Sequence, residues 1–195
     1  VADAIEEQYL PLGGRLPKTV LGAALAILDK YDTLASYFGI GIEPTGDQDP
    51  FGLRRAAQGI VEVAWKMRRP LPLGALMCAR AAAPPFHGKE EAQVRAVGAR
   101  IERYLYERLY TFAWPTLKGG PAPAVDCIDA ALASPGENLI DMMDRIVSLQ
   151  QLNGHPGLRK AAKVVERTRN ILKGATLRQP QVDPSRLVEA PEQKL

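Results

Sequence analysis

Residues 17–41 read PKTVLGAALAILDKYDTLASYFGIG. The apolar residues recur at the spacing of one helical face, a proline leads and a GIG triplet closes the stretch. The pattern predicts a helix from Pro17 to Gly39. Pro17 would stand in the first turn, where its missing N–H is no loss, and the glycines would end the helix. The apolar run inside it, VLGAALAIL (20–28), is nine residues long, too short to span a bilayer. No membrane partner is expected.

The same helical spacing continues through most of the 195 residues, and no alternation of useful length argues for a strand. The fold class expected is all-α, a multi-helix bundle. The loop EPTGDQDP (43–50) is dense in turn formers. Asp49 is placed to cap the helix written FGLRRAAQGIVEVAWKM (51–67) through its side-chain oxygen. In that helix Phe51, Leu53, Ala56, Ala57, Ile60, Val61 and Ala64 form an apolar stripe, while Arg54 and Arg55 leave it on adjacent sides. One of these arginines pairs with Asp47 or Asp49 on one reading; on the other, both meet phosphate, whose oxygens suit the planar guanidinium fork. A further helix fits 71–82. The break AAPPFHGK (82–89) is read as a boundary, giving regions 1–82 and 90–195 with a linker at 83–89. Helices are expected at 90–112, 122–133, 138–153 and 157–173, with an extended connector from 174 that holds one helical turn near DPSRL.

Of the residues, 46% are hydrophobic and 24% charged, a globular composition that can bury a core. The chain starts at Val1 without a basic and apolar leader pattern, and its end reads as unfinished, so a piece of a longer protein is expected. Cys78 and Cys127 stand alone, without metal-ligand spacing, and are expected as reduced thiols of a cytoplasmic protein. Charge is banded. Residues 1–50 carry 3 basic and 8 acidic side chains, and 51–120 carry 12 and 5. Residues 121–154 carry 1 and 5, and 155–195 carry 9 and 4. Two basic bands between acidic ones are the footprint of a polyanion partner or a mosaic of solvated helix faces.

Asp29 and Asp32, three apart on a helix, share a face and raise the question of a metal. The chain has only two histidines, His87 in the proline-rich break and His155 beside a proline, and neither forms an HD dipeptide. No metal site is expected. One aspartate is read as facing solvent and the other as capping or pairing with Lys30 or a neighbouring arginine.

Three ordered blocks carry a resemblance: AIEEQYLP (4–11), LDKYDTLASYFGIG (28–41) and PTGDQDPFGLRRAA (44–57). Together they resemble the bacterial-type glycyl-tRNA synthetase β subunit. The resemblance implies that residues 1–82 are the end of an HD-like helical region in which Asp29 and Asp32 are relic positions. Gln8 departs from the histidine usual in that family. Farther on, LIDMMDRIVSLQQL (139–152), GLRKAAKVVERTRNILKG (157–174) and VDPSRLVEAPEQKL (182–195) are similar to the family's helical anticodon-binding (DALR-like) region.

The helix at 157–174 is two-faced. At about 100° per residue, Leu158, Ala161, Val164, Val165, Thr168, Ile171 and Leu172 share one arc, expected to be buried. Arg159, Lys160, Lys163, Arg167 and Asn170 share the other, with Lys173 at its margin and Glu166 the single acid. Arg169 falls on the apolar arc and is expected to snorkel or form a buried pair. These cationic residues, with Arg54 and Arg55, are the candidate tRNA contacts, since RNA is met through phosphates, 2′-hydroxyls and stacked bases. The aromatics of YLYERLYTFAW (104–114) are expected mostly in the core, with Tyr106 and Tyr110 as candidate stacking platforms.

The function implied is the tRNA-binding part of a glycine–tRNA ligase β subunit, with tRNA-Gly and the α subunit as partners. No cofactor or catalytic residue is expected in this chain; the resemblance places ATP, magnesium and glycine activation at the α subunit. Two other readings stand beside it, a structural helical module docking the α subunit and a degenerate HD-type metal phosphohydrolase.

Overall fold

The computed structural model describes residues 2–44, 49, 51–112, 114, 123–134, 136 and 138–173. Among them the chain forms eight α-helices, one 3-10 turn and no strand. The helices are α1 (Ala2–Glu7), α2 (Val20–Gly39), α3 (Leu53–Met67), α4 (Leu73–Arg80), α5 (Glu91–Glu107), α6 (Val125–Leu132), α7 (Leu139–Leu152) and α8 (Pro156–Leu172). The 3-10 turn, Arg108–Tyr110, follows α5 directly. The all-α expectation holds. The chain divides into two compact units, Val1–Gln151 and Leu152–Leu195. The segment 83–89, expected as a linker, lies inside the first unit, and its Phe86 is buried in the core.

The predicted start of α2 is corrected. Pro17 precedes the helix, and Thr19 is the cap: its Oγ1 accepts the Gly22 N–H at 3.0 Å. Glu7, at the end of α1, completes this cap from a distance. Its carboxylate accepts Lys18 N–H at 3.0 Å, Thr19 N–H at 3.1 Å and the Thr19 hydroxyl at 2.6 Å. Donors at a helix start have no partner within the helix, so a carboxylate there answers both the unpaired groups and the helix dipole. Gly22 makes room for it. A Cβ at position 22 would stand 2.0 Å from a Glu7 carboxylate oxygen and 2.6 Å from its Cβ.

The other end of α2 is closed by cations. Arg100 donates to Phe38 O at 3.2 Å and Lys89 to Gly39 O at 2.8 Å, where the dipole favours positive charge. Gly39 lets Phe86 pack on this end, since a Cβ there would lie 2.6 Å from the Phe86 ring.

Helix α3 stands between two cores. One edge places Leu53, Ala57 and Ile60 against Tyr31, Leu34, Ala35 and Phe38 of α2 and Val97, Ile101 and Leu105 of α5. The other edge places Val61 and Ala64 against Leu109, Phe112, Trp114, Ile128 and the apolar face of α7. Trp65, Phe112 and Trp114 meet edge to face, with centroids 5.0–5.9 Å apart. Arg68, at the C-cap of α3, lies 4.8 Å over Trp65 and reaches Asp144 of α7 at 2.5 Å.

Two further expectations are corrected. Phe51 lies outside α3, is 46% exposed and stacks on Tyr37 at 4.5 Å. The helix expected to run from 90 to 112 ends at Glu107, where the backbone tightens into the 3-10 turn that carries Leu109 into the second core. The thiols are free, Cys78 exposed and Cys127 buried. Asp47, the connector from 174 and the block 182–195 lie outside the described residues.

Candidate nucleic-acid interface

Helix α8 begins on a local device. Pro156 occupies its first turn and the His155 ring accepts the Gly157 N–H through Nδ1 at 3.1 Å. Arg159, Lys160, Lys163, Arg167 and Asn170 are all exposed, as is Lys173 just after the helix. Arg159, Lys163 and Arg167 stand at successive i, i+4 positions, so like charges face one another along one edge. Each such pair costs an isolated helix a few tenths of a kcal/mol. No ion pair reaches these cations among the described residues.

The opposite arc departs from expectation. No α8 side chain is buried, and Val164 is 62%, Val165 56% and Ile171 79% exposed. Arg169 is likewise exposed rather than held in a buried pair. Amphipathic spacing shows which face of a helix is able to pack; packing itself needs a partner surface.

Arg54 and Arg55 occupy the first turn of α3. Asp49 is oriented by the backbone there: its two carboxylate oxygens accept the N–H groups of Leu53 at 2.7 Å and Arg54 at 2.9 Å. The expected capping bonds are present, although the N-cap residue itself is Gly52. Both arginines line a shallow depression of about 420 Å³ with Gln58, Glu62, Arg108 and Thr111. These residues belong to the first unit and α8 to the second.

The two aspartates have different surroundings. Asp29 is exposed, while an Asp32 oxygen lies 2.5 Å from Arg80 Nε, close but not aligned as a hydrogen bond. Arg80 donates to the Ser36 hydroxyl at 2.9 Å and lies 5.8 Å over Phe86, tying α4 to α2. Lys30 turns elsewhere and donates to Gln8 O at 3.1 Å. Burial pushes its pKa down, and the neighbouring Asp29 opposes that. Among the described residues no group of three or more His, Cys, Asp or Glu side chains is placed to hold a metal ion.

The aromatic segment is largely structural. Tyr104, Phe112 and Trp114 are at most 8% exposed. Tyr106, half-buried, donates to Glu102 at 2.9 Å; Tyr110, 43% exposed, donates to Asp129 at 2.5 Å. Both phenols have pKa values pushed up, Tyr106 chiefly by burial and Tyr110 chiefly by the Asp129 carboxylate it binds. Tyr110 is the more open of the two to a stacking base.

Sequence reading passed over Arg80, Glu7 and Arg108. Only Arg108 left a local signal, standing four residues after Tyr104 at the spacing of a stacked helical pair.

Residues 1–130 match the family model described as glycyl-tRNA synthetase beta subunit. Over its full length the chain is 34% identical to the glycine–tRNA ligase beta subunit of Dichelobacter nodosus, covering 27% of that protein. It is 32% identical, over 97% of its length, to the corresponding subunit of Trichodesmium erythraeum, again covering 27%. Against that of Dechloromonas aromatica it is 34% identical over 89% of its length, covering 23%. The chain thus spans about a quarter of the length of the relatives it matches. Among the described residues no helix is long and apolar enough to cross a membrane.

Proposed function

We infer the function from one premise: the chain belongs to the glycyl-tRNA synthetase β subunit family. On the proposed reading it is a tRNA-binding part of a cytoplasmic glycine–tRNA ligase. It positions tRNA-Gly and contributes to its recognition while glycine activation, ATP and magnesium belong to the α subunit. In this reading the chain holds RNA and performs no bond chemistry itself. The regions assigned to it are the HD-like remnant, with Asp29 and Asp32 as relics, and part of an anticodon-binding domain containing α8. The observation that carries the reading is the exposed Arg159–Lys163–Arg167 edge of α8, a like-charge row whose repulsion an RNA backbone would relieve. Lys160, Asn170 and Lys173 extend that surface.

The test is the affinity of the chain for tRNA-Gly and for a non-cognate tRNA, each across a salt series. The expected result is tighter cognate binding that weakens on Arg167→Ala and on Lys163→Ala. Equal binding of both RNAs with a steep salt slope would reduce the role to phosphate attraction. The exposed apolar arc of α8 favours a second reading, a helical module that docks the α subunit with its basic faces incidental. That reading requires no RNA binding even at low salt. The phosphohydrolase reading fares worse, because Asp32 is engaged by Arg80 and Asp29 is exposed to solvent beside Lys30.

A further inference from the structure

The first turn of α3 is an unfavourable place for two arginines. A helix start carries partial positive charge and welcomes acids, yet Arg54 and Arg55 stand there with no acid in the turn. Asp49 offsets part of this by accepting two backbone N–H groups of the turn. A third cation joins them. Arg108, on the 3-10 turn after α5, lines the same depression. Its guanidinium lies 4.8 Å over the Tyr104 ring, its Nε is buried without a hydrogen-bond partner, and its ion pair with Glu107 is long, at 3.9 Å. The Tyr104 hydroxyl beneath is also buried without a partner. Stacking therefore sets the plane of Arg108 more than any acid does. Thr111 steadies the turn by donating to Arg108 O at 3.2 Å.

The dipole at the end of α5 accounts for a cation at 108. It does not account for Arg55, exposed at the opposed end of another helix and lining the same depression. The guanidinium groups of Arg55 and Arg108 on one depression, with Glu62 the single acid among the described residues of its lining, match the bidentate recognition of phosphate oxygens. We propose that this depression holds a backbone phosphate of the bound RNA, with Arg55 and Arg108 as its cationic contacts beside Arg54. The proposal rests on the RNA-binding reading above and adds Arg108, from a different helix, to a site otherwise confined to α3. Glu62 then acts against the phosphate, held aside by the Gln58 amide at 3.3 Å.

The experiment measures tRNA-Gly binding by the whole chain across a salt series, for wild type, Arg55→Ala, Arg108→Gln and Glu62→Gln, with a thermal melt of each. Each lost phosphate contact lowers the slope of log affinity against log salt by about 0.7–0.9. Arg55→Ala and Arg108→Gln are expected to lower it by that amount, and Glu62→Gln to tighten binding. Arg55→Ala should melt no lower than wild type, because the cation leaves the positive end of a helix; a purely structural role would lower its melt. Slopes unchanged in both arginine variants, with wild-type binding intact, overturn this site and leave the α8 reading standing. No wild-type binding at all removes that reading, and this one with it. In parallel, inorganic phosphate is titrated at constant ionic strength while the Arg Nε–H NMR signals are followed. Signals that move with phosphate while the RNA slopes stay fixed would identify a site for free anions and overturn the backbone assignment.

Discussion

Helices α5 and α8 are each 17 residues long, and both carry an apolar stripe, yet they use their side chains in opposite ways. α5 buries Val94, Val97, Ile101, Tyr104 and Leu105 in the core it shares with α2 and α3. Two of its three cations are engaged: Arg95 pairs with Glu91 one turn back, and Arg100 reaches both Glu43 and the Phe38 carbonyl, while Arg103 is exposed. α8 buries nothing, and its cations find no acid among the described residues. One helix converts most of its positive charges into connections within the fold; the other leaves them facing outward. The difference separates scaffold from surface better than net charge does.

The largest effect that tests this contrast comes from truncation. Ile101→Ala removes a side chain with no exposure from the centre of the first core and should cost about 2–5 kcal/mol in urea unfolding. Val165→Ala in α8 should change stability by less than about 0.5 kcal/mol. A comparable loss at Val165 would show that the apolar arc is packed and would erase the contrast.

Next in size is the clamp between α1 and α2. Thr19→Ala should cost about 0.5–2 kcal/mol by removing the cap. Gly22→Ala should lower the melting temperature as well, although alanine is intrinsically the better helix former, because its Cβ displaces Glu7. A melt raised by Gly22→Ala would mean that Glu7 moves aside without loss.

The same clamp predicts a pH dependence. Hydrogen bonds from Thr19 and the Lys18 amide hold the Glu7 carboxyl below its ordinary value of 4.5. The folded state therefore binds this proton less readily than the unfolded one. The stability that Glu7 contributes is present above about 4.5 and is lost as pH falls through its lowered value. Glu7→Gln should flatten that part of the acid limb of the melting-temperature profile; an unchanged limb would assign acid sensitivity to other carboxylates.

These predictions also mark what sequence reasoning could reach. Helices α2 to α8 were legible, the end of α5 apart, because periodicity and turn residues are local, and Asp49 was legible as a cap because it stands just before its helix. Glu7 was not, because it caps a helix that starts 13 residues later, and α1 was too short to announce itself. Arg80 meets Asp32 across 48 residues, so sequence reading stopped at a neighbouring arginine without naming one. The apolar arc of α8 misled in the other direction: its spacing expressed a capacity for burial that the described residues of its unit leave unrealised. The cationic arc needed no partner to be read, which is why the candidate RNA contacts on α8 are legible from the sequence alone.

The smallest effect is the sharpest test of scaffold against surface, because it crosses the two helices with two readouts. Arg100→Ala breaks the 2.9 Å pair with Glu43 and the bond to Phe38 O. Both partners are partly exposed, so the cost should stay near 0.5–1 kcal/mol, with RNA affinity unchanged. Arg167→Ala should do the reverse. Removing one charge from the Arg159–Lys163–Arg167 row relieves repulsion, so stability should hold within about 0.5 kcal/mol while the salt slope of tRNA binding falls. Were Arg100→Ala to weaken RNA binding as much as Arg167→Ala, the exposed cations of both helices would belong to one diffuse field. Pairing within the fold would then no longer distinguish a structural arginine from a binding one.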